Sequence, residues 1–409
     1  MMTPMRYVVL VLGIIISLHF ILSFTHESYG RVTGIDHIKD RISGAVNRPQ
    51  GPPYKQGVPD EYYIKQNITS PQGRKANAVV VILARNGDIN GVVYTMKQFE
   101  DRFNKKFGYP YVFLNDAPFD DNFKKRVSEL TDAKVEFGLI PKDHWNQPDW
   151  IDEEKATKAR EAMAKANVIY GGTYNPPSTL YKILTAHSGS LPSSTVTNCS
   201  SHTSITGESS EYREPPDFPS KLTLSKRPDV KFFCDLDYDP FLIMQDQKKK
   251  YGFTISLYEY EATIPTLWKT VRDFMKKHPE YIAEDNALSF ISDDAGKTYN
   301  RCHFWSNFEI ADLDLWRGEA YSKFFDFLDR AGGFYYERWG DAPVHSIGAA
   351  LFAKKDEIHF FNDIGYRHEP FQHCPQGASH KKGKCWCDEN DNFDYEWYSC
   401  LNRYDRMFN

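Results

Sequence analysis

"AVVVILARNGDI", residues 78–89, decides the fold. Its opening run is apolar without alternation and largely β-branched, which suits a strand covered on both faces. The run breaks at Arg85, Asn86, Gly87 and Asp88 into a polar turn. A helix is expected next, because Met96, Phe99, Phe103 and Phe107 recur at three- and four-residue spacing on one face. The alternation continues with a strand at 111–114, a helix over about 120–130, a strand at 134–139 and a helix over 153–166. Alternating strand and helix predict the α/β class, with a parallel sheet and right-handed crossovers. In such sheets ligands gather at the carboxyl ends of strands, which singles out Arg85, Asn86 and Asp88 and, after the second strand, Asn115 and Asp116. Ordinary loop chemistry is the competing account, and the chain carries no glycine-rich dinucleotide or P-loop pattern.

Outward from this core, the chain ends describe a compartment. Tyr7–Phe24, "YVVLVLGIIISLHFILSF", is long enough to span a bilayer, and "FILSFTHES" offers no small-x-small cleavage site. Residues 1–6 are therefore expected to be a cytoplasmic tail, 7–24 an uncleaved signal anchor, and 25–75 a stem rich in Gly, Pro, Gln and charge. The ordered part, 76–409, then lies in the lumen. Two features agree with that orientation: a glycosylation sequon at Asn67-Ile68-Thr69, with a weaker one at Asn198-Cys199-Ser200, and seven cysteines, four of them (Cys374, Cys385, Cys387, Cys400) close to the C-terminus. "CWC" lacks the spacing of a zinc knuckle, so disulfides in an oxidising lumen are expected, with at least one thiol left over. A net charge of -5 with both signs interspersed argues against a nucleic-acid partner.

Chemistry is concentrated in two places. "KFFCDLDYDPF", 231–241, carries Asp235, Asp237 and Asp239 two apart, as a strand end or a metal site would. The stretch from Tyr299 to Phe352 mixes Trp, Tyr, Arg, Glu and Asp in the manner of a ligand site, with Glu309 close to Trp305, Asn307 and Phe308.

"SNFEIADLDLWR" (306–317), "AGGFYYERWGDAPVHSIG" (331–348), "HFFNDIGYRHEPFQHCP" (359–375), "VVVILARNGDI" (79–89) and "PDVKFFCDLDYDPF" (228–241) resemble the fungal α-1,2-mannosyltransferases of the Kre2/Mnt1/Ktr family. The resemblance implies a glycosyltransferase-A fold, a Rossmann-like mixed sheet flanked by helices. It also implies a type II Golgi membrane protein that uses GDP-mannose and Mn2+ to extend mannose-terminated N- or O-linked glycans of glycoproteins in cell-wall mannan synthesis. By the same resemblance, Glu309 is the candidate nucleophile, Asp341 an acid of the acceptor region and His368 a metal ligand. Asp229 is placed at the metal site, and Arg85, Asn86, Asp88 and Asp116 at the donor. Transfer from an α-phosphate ester to an α-glycoside retains configuration, through a covalent carboxylate intermediate or a front-face reaction. A glycosidase would instead need two carboxylates flanking one bond and water as acceptor.

One segment departs from the family. From about Thr173 to Arg227 its Arg- and aromatic-rich pattern gives way to a Ser/Thr-rich stretch without a helix or strand period. Arg227 stands where the family has the glutamate of Glu-Pro-Asp, its metal ligand, and a guanidinium removes an oxygen ligand while adding a repelling charge. The three later acids are then expected to shape a loop. Arg227 also favours a second reading, a catalytically inactive lumenal member that binds glycans or partner proteins. A Ser/Thr-rich loop carrying O-linked sugars is one origin of the segment. Replacement at similar length fits a reading-frame slip or unspliced intron better. Sequencing the transcript across codons 165–235 is expected to restore an Arg- and Tyr-rich segment ending in Glu-Pro-Asp. A transcript that keeps Arg227 overturns that expectation and favours the inactive reading.

Overall fold

Ala78–Leu83 forms strand β1, and its side chains feed two cores at once: Val79 and Val81 enter one, Val80 and Ile82 the other. That is why the run is apolar without alternation. The computed structural model describes residues 74–168, 222–226 and 230–408. The anchor, the stem up to residue 73, both sequons and Cys199 lie outside the described residues, as do Arg227 and Asp229. Among the described residues no helix is long and apolar enough to cross a membrane.

β2 (Tyr111–Asn115) and β3 (Val135–Leu139) follow as the sequence predicts. The remaining strands are β4 (Leu222–Lys226), β5 (Lys231–Phe232), β6 (Tyr251–Phe253), β7 (Ser256–Tyr258), β8 (Cys302–Phe304), β9 (Phe308–Asp312), β10 (Ile358–Phe360), β11 (Tyr366–His368) and β12 (Phe371–His373). The main sheet runs β10-β6-β9-β4-β1-β2-β3, with β12-β11-β5 and β7-β8 as smaller sheets. It is mixed, and the all-parallel expectation fails at β9, which pairs antiparallel with both β4 and β6. β9 enters through a short loop directly from β8, with no crossover helix to turn it parallel.

Register aligns the functional edge. Lys226 at the end of β4 pairs with Phe308, and Phe253 at the end of β6 pairs with Glu309. Because β4 is parallel to β1 and β1 to β2, the carboxyl ends of β1, β2, β4 and β6 meet the start of β9 along one edge. This is where an α/β sheet presents its ligand site.

The Ser/Thr-rich segment is corrected at its end: Leu222–Lys226, read as aperiodic, is the central strand β4 between β1 and β9. Five residues are too few for a period to stand out, and the slot between two buried strands leaves backbone donors and acceptors that a strand must satisfy. The helix after β1 also differs in detail. Ile89–Phe99 runs through a π-helical turn, Glu100–Asn104, into Lys105–Phe107, and Phe103 and Phe107 stay in the same core as Phe99.

The three aspartates are structural, as expected. Asp235 pairs with Arg102 at 2.7 Å, Asp237 pairs with Lys106, and Asp239 caps the helix Pro240–Asp246 through the amides of Phe241 and Leu242. Disulfides join Cys234 to Cys385, Cys302 to Cys400 and Cys374 to Cys387. Two of the four clustered cysteines thus reach far back along the chain.

Asp239 also accepts the Tyr109 hydroxyl at 2.6 Å, and burial pushes its carboxyl up to about 6, against hydrogen bonds and Lys75 that pull it down. The folded state holds this proton more tightly than the unfolded chain, so the contribution of Asp239 to stability falls as pH rises from about 4 to about 6. Asparagine keeps the capping oxygen and offers an amide to Tyr109. In urea denaturation across that range, Asp239→Asn is expected to remove about 3 kcal/mol of pH-dependent loss, at about 1.4 kcal/mol per pKa unit. Parallel wild-type and variant curves would refute it.

Candidate active site

Glu309 is the second residue of β9, flanked in the sheet by β4 and β6 and only 1 % exposed. A lone buried carboxylate is costly, and two groups answer this one. Tyr251 of β6 donates its hydroxyl at 2.9 Å, and His345 Nδ1 lies 3.0 and 3.1 Å from the two carboxylate oxygens. His345 is itself fully buried, between Trp316 and Tyr321 with ring centroids 4.9 and 6.4 Å away. Burial pulls the imidazole down, but Glu309, with a smaller push from Asp341, outweighs it and holds His345 above the usual histidine range.

His345 reaches Glu309 from the helix Asp341–Phe352, and the same face is shaped for close approach: a Cβ at Gly348, three residues on, would overlap the Tyr321 ring. Asp341 opens this helix, one turn before His345, and accepts the Ser306 hydroxyl at 2.8 Å. A carboxylate in the first turn also suits the helix dipole. Glu309 and Asp341, the two candidate catalytic residues, are thereby drawn to one place by β9, the loop before it and one helix.

His368 ends β11, which a bond from the Tyr366 hydroxyl to Asn307 Oδ1 at 2.9 Å ties to the chain just before Glu309. Its ring stands edge-on to Trp305 at 4.8 Å, and Nδ1 meets the Glu369 carbonyl at 3.1 Å. A carbonyl contact of this kind orients an imidazole to present Nε2 to a metal. Asp229, the other candidate ligand, lies outside the described residues. Cys374, His380 and Cys387 also cluster within 4.8 Å, but the two cysteines are joined as a disulfide and offer no thiolate.

The candidate donor residues stand together at the ends of β1 and β2. Asn86 bridges the two loops, donating to Pro118 O at 3.0 Å and accepting from the Asp120 amide at 3.1 Å. Asp88 closes its own turn by accepting from the Arg85 amide at 2.8 Å. Arg85 and Asp116 are exposed there, with the Arg85 guanidinium 5.9 Å from the Trp145 ring centre. Asn86 and Asp88 thus build the loop, while Arg85 and Asp116 face outward.

The sequence reading missed His345, Tyr251 and Ser306. His345 carried one signal, its four-residue spacing from Asp341. If Glu309 sustains the imidazolium, removing its charge leaves burial opposed only by the smaller push from Asp341. In Glu309→Gln, NMR of the His345 ring nitrogens is expected to show titration below the ordinary histidine range, whereas wild type titrates above it. The sign for stability follows: the pair's contribution is present below the unfolded histidine pKa and is lost as pH rises through the raised folded value. An unchanged titration in the variant would refute the pairing.

Comparison with known proteins accords with this architecture. The family model described as glycolipid 2-alpha-mannosyltransferase matches residues 45–185 and 224–408, so the atypical stretch it leaves out is narrower than the sequence reading drew it. Alpha-1,2 mannosyltransferase KTR1 of Saccharomyces cerevisiae is 48% identical over 84% of this chain and 81% of its own length. The mannosyltransferase Ktr4p of S. cerevisiae in complex with GDP superposes with a TM-score of 0.76 at 32% identity, covering 92% of this chain and 93% of that one. The Mn/GDP form of Core-mannan synthase A from Aspergillus fumigatus gives 0.72 at 34% identity, over 88% and 92% of the two chains. By the span of the family match and the identity to its relatives, this chain belongs to the glycolipid 2-alpha-mannosyltransferase family.

Proposed function

We propose that the chain is a retaining α-1,2-mannosyltransferase that moves mannose from GDP-mannose to mannose-terminated N- or O-linked glycans. The observation that carries this reading is Glu309: a buried carboxylate at the ligand edge of the sheet, pinned by Tyr251 and His345, with Asp341 close by. The similarity to an alpha-1,2 mannosyltransferase and to a GDP-bound mannosyltransferase supplies the substrate class.

Glu309 acts on the sugar carbon that becomes electron-poor as the phosphate leaves. One of its oxygens either bonds to that carbon as GDP departs and is displaced by the acceptor hydroxyl, or offsets the positive charge while the acceptor enters on the departing face; the acceptor's proton passes to the departing phosphate. Tyr251 and His345 fix its orientation in both cases, so no reorganisation is needed as charge develops. Asp341, held by Ser306, positions the acceptor hydroxyl. Mn2+, which the Mn/GDP form of the fungal relative carries, supplies charge to offset the diphosphate. His368 fits as its ligand by the carbonyl that orients it, and Asp229 would be its oxygen ligand.

The lumen of the Golgi, with a single type II anchor at Tyr7–Phe24, is the proposed location. Three disulfides support it, since such bonds persist in oxidising compartments. Arg227 in place of the family's glutamate favours one other reading, an inactive member that binds glycans or partners.

Assayed with GDP-mannose, Mn2+ and methyl-α-mannoside, the wild type is expected to form a dimannoside. At a temperature where both proteins are folded, Glu309→Gln should lower turnover by about 10³-fold, about 4 kcal/mol of barrier, while its thermal unfolding shifts down because the buried His345 loses its charged partner. Retained turnover in the variant would sink the assignment, and an inactive wild type would favour the binding reading.

A further inference from the structure

Glu259 lies just past β7, with its amide bonded to Arg301 O at 2.8 Å and a carboxylate oxygen accepting from the Tyr260 amide at 2.7 Å. Its carboxyl is 4.0 Å from His303 Nδ1 and close enough to Asp341 to feel its charge. Burial first, with Asp341 adding, pushes Glu259 up to about 7, so near neutral pH it offers a sugar hydroxyl both a donor and an acceptor.

Beside it an aromatic surface reaches solvent. Tyr260 is 49% exposed and its ring centre lies 6.2 Å from that of Tyr398; the neighbouring Trp397 is 44% exposed. A chain of half-buried rings links it to the site already described: Tyr398 stands 6.1 Å from Phe371, Phe371 5.8 Å from Trp305, and Trp305 4.8 Å from His368. Exposed ring faces next to a carboxyl match the chemistry of a sugar, whose C–H face packs on aromatics while its hydroxyls take hydrogen bonds.

We propose that Tyr260, Tyr398 and Glu259 form a subsite for the sugar unit preceding the acceptor mannose, so that a two-sugar acceptor is held better than a single one. The proposal rests on the mannosyl-transfer reading above for the identity of that sugar.

The test is titration calorimetry of the GDP-loaded protein with methyl-α-mannoside and with α-linked mannobiose. Wild type is expected to bind mannobiose about tenfold more tightly, and Tyr260→Ala, an exposed position, to bring the ratio near one. Equal affinities in wild type, or a ratio that survives in Tyr260→Ala, would overturn the subsite. Glu259→Gln keeps an oxygen for the Tyr260 amide; its KM for mannobiose is expected to rise about tenfold relative to its KM for GDP-mannose, and an unmoved ratio removes Glu259 from the proposal. A wild type that binds mannobiose in a Tyr260-dependent way yet forms no product from GDP-mannose sinks the transfer reading and upholds the subsite.

Discussion

A charge buried in the middle of a sheet has to be answered, and Glu309 is such a charge. Removing one partner from a buried pair costs on the order of 3–5 kcal/mol, so the positions of its partners are not optional. Tyr251 answers it from the adjacent strand, at a distance the sheet itself dictates. His345 answers it from a helix, and that helix must therefore seat against β9 at one depth and one rotation. Asp341 opens the same helix, so the pairing that neutralises Glu309 also sets where the second acid stands. Trp316, Tyr321 and the absence of a side chain at Gly348 close the packing around the imidazole.

The first third of the ordered chain was legible because its strands are continuous apolar runs between polar turns and its first helix spaces its apolar residues by three and four, and the boundaries read from them differ from the structure by a residue or two. Glu309 and Asp341 were legible through family motifs, not through periodicity. His345 was not, because it sits among Ala342, Val344, Ile347 and Leu351 in a helix that is apolar nearly all round, where a histidine reads as core. Asn86 and Asp88 show the converse limit. Polar residues at a strand's carboxyl end look like ligand groups from sequence, yet here Asn86 ties two loops together and Asp88 closes its own turn.

β4 separates the requirements of fold from those of chemistry. The ladder between β1 and β9 asks only for backbone donors and acceptors, and "LTLSK" supplies them across the point, residue 224, where the family match resumes. Side-chain chemistry at the end of that strand is more demanding. A sheet can stay whole while the residue after it changes from a carboxylate to a guanidinium, so an intact fold does not vouch for an intact metal site.

The disulfide pattern carries a further consequence, one of timing. Cys234 and Cys302 bracket the central part of the domain, and both take their partners from the last stretch of the chain, Cys385 and Cys400. During synthesis the two long-range covalent ties can close only after nearly the whole domain has been made. The C-terminal segment is then a latch on the entire catalytic unit, and a chain that stops short of residue 400 leaves Cys302 without its mate beside the strand that leads to Glu309.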